Sequence, residues 1–161
     1  LWPLYYSPLM GLFFYLYRNT NLIPVLKNTL NILIVDDNLN FIKRMISILD
    51  DVKYPKKISI ASDFNGAMQE MAAGGQDILL LDINMPGKSG IELLRYIREK
   101  NPGTEVIMLT NHAEAFYREQ CRELGAQHFL DKSNDFLQVP EIVNAYCRKN
   151  IETSQSDQYA D

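Results

Sequence analysis

The sequence predicts an α/β fold: a doubly wound, five-stranded parallel sheet with strand order 2-1-3-4-5 and helices on both faces. From Asn31 onward, short apolar runs alternate five times with amphipathic stretches, the pattern of repeated strand–helix units. The first and third runs are apolar almost throughout, as central strands are, whereas the second alternates polar and apolar residues like an edge strand. This difference favours the order 2-1-3-4-5, one of two common orders for such sheets.

Each predicted strand is a short apolar run followed by a segment of different spacing. Runs of about four to eight residues rich in β-branched side chains are typical of strands. The predicted strands are Asn31–Val35, Lys57–Ala61, Asp77–Leu81, Glu105–Leu109 and Ala126–Leu130.

Apolar residues at helical spacing follow every strand. Gly74-Gly75 and Gly125 end the second and fourth of these segments, as residues free to adopt a positive φ should. The core positions are Phe41, Met45, Ile48 and Leu49; Phe64, Ala67, Met68 and Met71; Ile91, Leu94 and Ile97; Ala113, Tyr117 and Leu124; and Phe136, Val139, Ile142, Val143 and Tyr146.

The chain divides into three parts by composition. Residues 1–28 are an apolar N-terminal extension of uncertain status, residues 29–150 the folded domain, and residues 151–161 a polar tail expected to be disordered. The apolar, proline-free part of the extension is Leu9–Tyr17, whereas a spanning helix needs about 20 apolar residues. We interpret the extension as upstream sequence or loosely packed chain, with a weak membrane tether as the less favoured alternative.

The composition indicates one globular domain in a reducing environment. The 161 residues are 47% hydrophobic and 22% charged, which suits one ordinary core and leaves no room for a separate output domain. A formal net charge of -4 without a basic stripe argues against nucleic-acid binding. Cys121 and Cys147 form no C-x-x-C motif or Cys/His cluster, so we expect two reduced thiols in a cytoplasmic protein.

Polar side chains stand where four of the predicted strands end. Asp36 and Asp37 follow the first strand, Asp82 the third, Thr110 the fourth and Lys132 the fifth. The carboxyl ends of parallel strands lie at one edge of the sheet, where ligands bind in open α/β folds. We therefore expect these residues to converge.

Three converging carboxylates repel one another, which raises their pKa values unless a cation compensates. All-oxygen ligation suits Mg²⁺, and the lack of a His/Cys cluster argues against zinc. With the metal present, one carboxylate can attack a phosphoryl group and form an acyl phosphate. Lys132 and Thr110 could then bind the new phosphoryl oxygens.

Several motifs occur in a fixed order and spacing: Val35-Asp36-Asp37, Leu81-Asp82-Ile83-Asn84-Met85-Pro86-Gly87 with Ser89-Gly90, Leu109-Thr110, Leu124-Gly125-Ala126 and Phe129-Leu130-Asp131-Lys132. In this arrangement they resemble the receiver domains of two-component response regulators, most closely the stand-alone chemotaxis-type (CheY-like) members. The resemblance covers about Asn31 to Asn150. It implies a flavodoxin-like fold.

The resemblance also implies a role for each site residue. Asp82 is the expected phosphoacceptor. Asp36, Asp37 and Asp82 are expected to hold Mg²⁺ together with the backbone carbonyl of Asn84. Lys132 is expected to contact the phosphoryl group.

The implied output is a conformational switch. Thr110 supplies the switch hydroxyl, and the rotamer of Phe129 follows it. The implied partners are a sensor histidine kinase or phosphotransfer protein and a downstream protein that contacts the fourth helix, fifth strand and fifth helix. The resemblance implies no enzyme in the usual sense, but a regulatory protein that assists its own phosphotransfer and dephosphorylation.

Some residues depart from the family pattern. Ser133 follows Lys132 where a proline after a cis bond is usual, and a cis bond before a non-proline residue costs about 2.5–4 kcal/mol. We therefore expect a trans bond and a displaced loop. Asn111 stands where a smaller residue is common, and Asn84 and His112 occupy positions that tune hydrolysis of the acyl phosphate.

Other interpretations remain open at this point. Asp37 and Thr110 could serve as helix N-caps. The whole chain could be a docking module that does not depend on phosphorylation, or the receiver fragment of a DNA-binding regulator. A hydrolase would need a general base, for which only His112 is available.

Overall fold

The computed structural model describes residues 29–112 and 114–156, with side chains described up to residue 150. Its centre is one parallel five-stranded sheet in the order 2-1-3-4-5, which confirms the predicted flavodoxin-like topology. The strands are β1 (Leu30–Val35), β2 (Lys56–Ala61), β3 (Ile78–Leu81), β4 (Glu105–Thr110) and β5 (His128–Asp131).

One helix follows each strand, as the periodicity predicts. The fourth helix begins later than the core position assigned to Ala113, which itself lies outside the described residues. The helices are α1 (Leu39–Leu49), α2 (Phe64–Ala72), α3 (Gly90–Lys100), α4 (Ala115–Glu123) and α5 (Val139–Ser156), with a short 3-10 helix (Phe136–Gln138) before the last.

Alternation along the strands builds two separate cores. In β1, Ile32 and Ile34 pack beneath α1 and α5, whereas Leu33 and Val35 pack beneath α2, α3 and α4. Side chains of a strand point alternately to opposite faces, so a strand buried on both faces must be apolar at every position. This is why β1 and β3 read as continuous apolar runs.

The end of the domain differs from the sequence prediction. We expected a disordered tail from Ile151, but α5 continues to Ser156. No glycine or proline occurs between Glu141 and Ser156, so nothing in the sequence stops a helix that is already nucleated. The predicted extension 1–28 and residues 157–161 lie outside the described residues.

Side chains cap the starts of three helices: Asn38 at α1, Asp63 at α2 and Ser89 at α3. Asn38, and not Asp37, caps α1, because its side chain accepts from the backbone N–H groups of Asn40 and Phe41. Ser89 and Glu92 form a reciprocal capping box at the start of α3. None of the helices among the described residues combines the length and apolar character needed to cross a bilayer.

Gly90 allows the first turn of α3 to approach the end of β3. A Cβ atom at this position would lie 1.9 Å from the backbone oxygen of Asp82. The Gly90 N–H also donates to the Ile83 carbonyl at 2.8 Å. The backbone at Asp82 and Ile83 therefore packs against the first turn of α3 at a distance that only glycine permits.

Gly90→Ala should lower the free energy of unfolding by about 1–3 kcal/mol or more, because the added methyl group overlaps backbone atoms that cannot move aside cheaply. The matched control is Gly103→Ala, since an added Cβ there meets no atom within 4 Å. Urea unfolding of both variants measures the difference. Equal stability of the two variants would contradict the close approach.

Cys121→Ala should alter the alkaline limb of the stability curve. Burial raises the pKa of the Cys121 thiol from 9.0 to about 11. Between these values the unfolded chain loses a proton that the folded protein keeps, so the free energy of unfolding falls as pH rises, by up to about 2 kcal/mol from this thiol. Urea unfolding from pH 8 to 11 should show a shallower fall for the variant. Parallel curves would refute the role of this thiol.

Candidate functional site

The sheet brings the ends of β1, β3 and β5 together. Val35 pairs with Leu81 across β1 and β3, so Asp36 and Asp82 are the next residues on neighbouring strands. The Asp82 N–H donates to the Val35 carbonyl at 3.0 Å, which extends the ladder to the acid itself. Convergence of the acids therefore follows from parallel pairing in register.

Lys132 reaches both acids from the end of β5. Its Nζ lies 2.6 Å from Asp36 Oδ2 and 2.7 Å from Asp82 Oδ2. The three residues are nearly inaccessible to solvent, with exposures of 2% for Asp36 and 6% for both Asp82 and Lys132. Transfer of a charged group from water into the protein is costly unless the charge is paired, so the two carboxylates depend on the Lys132 ammonium and the ammonium depends on them.

A third carboxylate completes an acidic cluster. Asp36, Asp37 and Asp82 each offer an oxygen within 4.8 Å of the others, and Asp37 is exposed. Asp82 Oδ1 is buried and has no hydrogen-bond partner among the described residues, whereas Oδ2 bonds to Lys132. An unsatisfied buried oxygen in an all-oxygen cluster fits a hard divalent cation.

The buried position of Asp36 disfavours the ionised form of its carboxyl group. Burial raises the pKa of its carboxyl above the ordinary value, and the nearby Asp82 adds to the rise. The hydrogen bonds from Lys132 and the Asn38 N–H act in the opposite direction. A cation beside Asp36 would therefore favour its ionised form.

The start of α1 positions the Lys132 ammonium from a second side. The Asn38 N–H donates to Asp36 Oδ1 at 2.9 Å, and Asn38 Oδ1 accepts from the Phe41 N–H at 3.1 Å. The Phe41 ring centroid then lies 4.8 Å from Lys132 Nζ, a cation–π distance. The sequence identifies Phe41 only as a core residue, because its helical spacing carries no sign of this contact.

Thr110 ends β4 and is completely buried. Its Oγ1 accepts from the His112 N–H at 3.1 Å. It does not cap α4, whose N-cap position is Glu114 and lacks a side-chain capping bond. The Thr110 hydroxyl hydrogen is thus available to a nearby acceptor.

Phe129 lies on the edge strand β5, half-buried against the core beneath α2, α3 and α4. Arg118 of α4 covers it: the guanidinium carbon is 4.7 Å from the ring centroid, and Nη1 donates to the Phe129 carbonyl at 2.9 Å. Sequence reasoning missed Arg118, since neither contact follows from the helix periodicity.

A cleft of about 230 Å³ opens onto the acids, and Asn84, Asn111 and His112 line it together with Asp37 and Asp82. The predicted tuning residues therefore border the site. The ligand role of the Asn84 carbonyl stays a prediction.

The described residues contain no cis peptide bond, so the 132–133 bond is trans, as the serine at position 133 led us to expect.

Comparison with known proteins agrees with this geometry. Residues 32–144 match the response regulator receiver domain family. The chain is 34% identical over 125 residues to the transcriptional regulatory protein MalR of Bacillus subtilis, covering 74% of this chain and 51% of MalR. It is 32% identical over 116 residues to the response regulator UvrY of Escherichia coli K12, covering 72% of this chain and 52% of UvrY. The chain thus spans about half the length of these relatives.

Solved structures share the fold. A CheY-like receiver domain protein from Methanospirillum hungatei JF-1 superposes with a TM-score of 0.65 at 22% identity, covering 81% of this chain and 99% of that one. The receiver domain of a DNA-binding response regulator from Colwellia psychrerythraea 34H gives 0.69 at 21% identity, covering 74% and 98%. With its matched sequence and its five-stranded fold, this chain belongs to the response regulator receiver domain family.

Proposed function

We propose that Asp82 accepts a phosphoryl group from a sensor histidine kinase or phosphotransfer protein. The observation that supports this most directly is the buried Lys132 bound to Asp82 Oδ2, beside an Asp82 Oδ1 that lacks a partner. The site thus holds a carboxylate and the cation that would neutralise the group it receives. A regulatory receiver needs this pairing of nucleophile and charge stabiliser.

Mg²⁺ is the cation that best fits the acidic cluster. Asp36, Asp37 and Asp82 would hold it with the backbone carbonyl of Asn84, and the remaining positions would be water and a phosphoryl oxygen. When bound, Mg²⁺ neutralises charge on the phosphoryl oxygens and lowers repulsion between them and the carboxylates.

Lys132 would exchange partners during the reaction. One oxygen of Asp82 attacks phosphorus, the bond from phosphorus to the donor breaks, and the donor leaves with the electron pair. The Lys132 ammonium, now 2.7 Å from Asp82, needs only a short movement to bind a phosphoryl oxygen. Since phosphoryl transfer requires mainly positioning and charge stabilisation, a preplaced lysine lowers the barrier.

The conformational output would begin at Thr110. Its hydroxyl can donate to a new phosphoryl oxygen. Thr110 and Phe129 face the same side of the sheet on the neighbouring strands β4 and β5, so a shift of Thr110 would alter the packing around Phe129. Phe129 is held by Arg118, so its movement changes how α4 contacts β5. A local charge change would thereby alter the α4–β5–α5 surface that a downstream protein reads.

Asp82→Asn should abolish phosphorylation while the fold is kept, because an amide is a poor nucleophile of nearly the same size. Intact mass after incubation with a small-molecule phosphodonor and Mg²⁺ measures the adduct. Wild type should gain one phosphoryl group that needs the metal and is removed by hydroxylamine, as an acyl phosphate is.

The matched control for this experiment is Asp51→Asn, an exposed acid at the far end of α1. It should be labelled like the wild type. Labelling of the folded Asp82→Asn protein would remove Asp82 as acceptor. No adduct on any folded variant would favour the phosphorylation-independent docking module.

Thr110→Val should separate phosphorylation from the switch. Valine keeps the shape of threonine but cannot donate a hydrogen bond, so Asp82 should still be labelled while Phe129 no longer responds. Fluorine NMR of 4-fluorophenylalanine at position 129, with and without phosphodonor, measures this. A phosphorylation-dependent shift of the same size in both proteins would show that Thr110 does not transmit the signal.

A second candidate is the receiver part of a DNA-binding regulator. It is favoured by the match to MalR, a protein named as a transcriptional regulator, over only half of that protein's length. The reading frame after Asp161 tests it: an in-frame basic domain would support this role, and a stop codon would oppose it.

A further inference from the structure

A second cleft of about 250 Å³ adjoins the acidic one at the start of α1. The two clefts share Asn38, Asn111 and Lys132 in their walls. They therefore form neighbouring halves of one depression, with the Lys132 side chain at their junction. The proposed function uses only the half that contains Asp82.

The two halves differ in charge. Asp37 and Asp82 line the first half. Among the residues that the structure describes, the charged ones that line the second half are Arg44 and Lys132, and none of these lining residues is a carboxylate. The second half, which we call the cationic cleft, is otherwise walled by the amides of Asn38, Asn40 and Asn111, the Phe41 ring and Ser133. Such a surface suits a small anion.

A cation–π contact holds Arg44 beside the cationic cleft. Its guanidinium carbon lies 4.5 Å from the centroid of the Phe136 ring, which in turn packs edge-on against Phe41 at 6.4 Å. Within the described part of the chain, no carboxylate forms an ion pair with Arg44. The stack fixes a guanidinium at the cleft and leaves its donors free for a ligand.

We propose that the cationic cleft binds the anionic leaving group of a phosphodonor, in particular the carboxylate of an acyl phosphate, and that Arg44 makes the site prefer such donors. This inference rests on the proposed phosphorylation of Asp82. In an in-line displacement the leaving group points away from the attacking oxygen and so extends out of the acidic half. The cationic cleft adjoins that half through Asn38, Asn111 and Lys132, and it offers the departing anion a guanidinium.

The reaction balances without another reactant. An oxygen of the Asp82 carboxylate forms a bond to phosphorus, and the bond between phosphorus and the acyl oxygen breaks. The departing carboxylate keeps the electron pair and carries one negative charge, for which Arg44 supplies the counter-charge while Lys132 stays with the phosphoryl group. A donor such as N-protonated phosphoramidate releases neutral ammonia instead, so it gains nothing from Arg44.

The test compares two donors on Arg44→Gln, which removes the charge from an exposed side chain. Rates of adduct formation are measured by intact mass with Mg²⁺, using acetyl phosphate and phosphoramidate. The rate with acetyl phosphate should fall by roughly 1.5- to 5-fold, the effect of one solvent-exposed ionic contact. The rate with phosphoramidate should be unchanged.

Two further variants serve as controls. Lys43→Gln removes a neighbouring exposed charge of α1 that does not line the cleft, and it should leave both rates unchanged. Arg44→Lys keeps a charge and should recover part of the acetyl phosphate rate. Unfolding curves of all variants verify the fold.

Three outcomes would overturn the inference: no effect of Arg44→Gln, an equal loss with both donors, or an equal loss in Lys43→Gln. Each of these leaves phosphorylation of the wild type intact. If the wild type forms no adduct with either donor, the proposed function itself fails, and the inference fails with it.

Discussion

The buried Lys132 ammonium between Asp36 and Asp82 is the interaction on which the rest of the site depends. One ammonium against three carboxylates leaves a net charge of about −2, which one divalent cation would balance. The ammonium therefore compensates only part of the negative charge of the three carboxylates. The remaining negative charge would favour a divalent cation such as the Mg²⁺ proposed for this site.

Because side chains alternate along each strand, the acids of the site and the proposed switch residues lie on opposite faces of the sheet. Asp36 and Asp82 continue the side of β1 and β3 that faces α1 and α5, whereas Phe129 packs in the core beneath α2, α3 and α4, and Thr110 has the same orientation in β4. Phosphorylation would thus begin on one face of the sheet and be read on the other. Thr110 can connect the two because it stands at the strand end, where both faces meet the cleft.

The sequence predicts the strand order and the convergence of the acids well. Continuous apolar runs indicate strands buried on both faces, and acids that directly follow such runs lie at the same edge of a parallel sheet. It predicts much less about contacts between elements. The ring of Phe41 under Lys132 and the guanidinium of Arg118 on Phe129 depend on rotamers chosen by packing between distant segments. The choice of Asn38 over Asp37 as cap likewise depends on where the first turn of α1 begins. The two clefts are lined by residues from separate segments of the chain, so they too can be identified only from the three-dimensional structure.

The loop after Lys132 is held by the hydrogen bonds of a polar turn. With serine at position 133, a polar turn fixes the loop in place of a rigid proline: Asp131 Oδ1 accepts from the Ser133 N–H at 2.6 Å, and the Asp135 N–H donates to the Asp131 carbonyl at 2.8 Å. The first of these bonds is the main reason that the pKa of Asp131 is lowered. Since Ser133 also lines the cationic cleft, the turn that follows Lys132 forms part of the wall of that cleft.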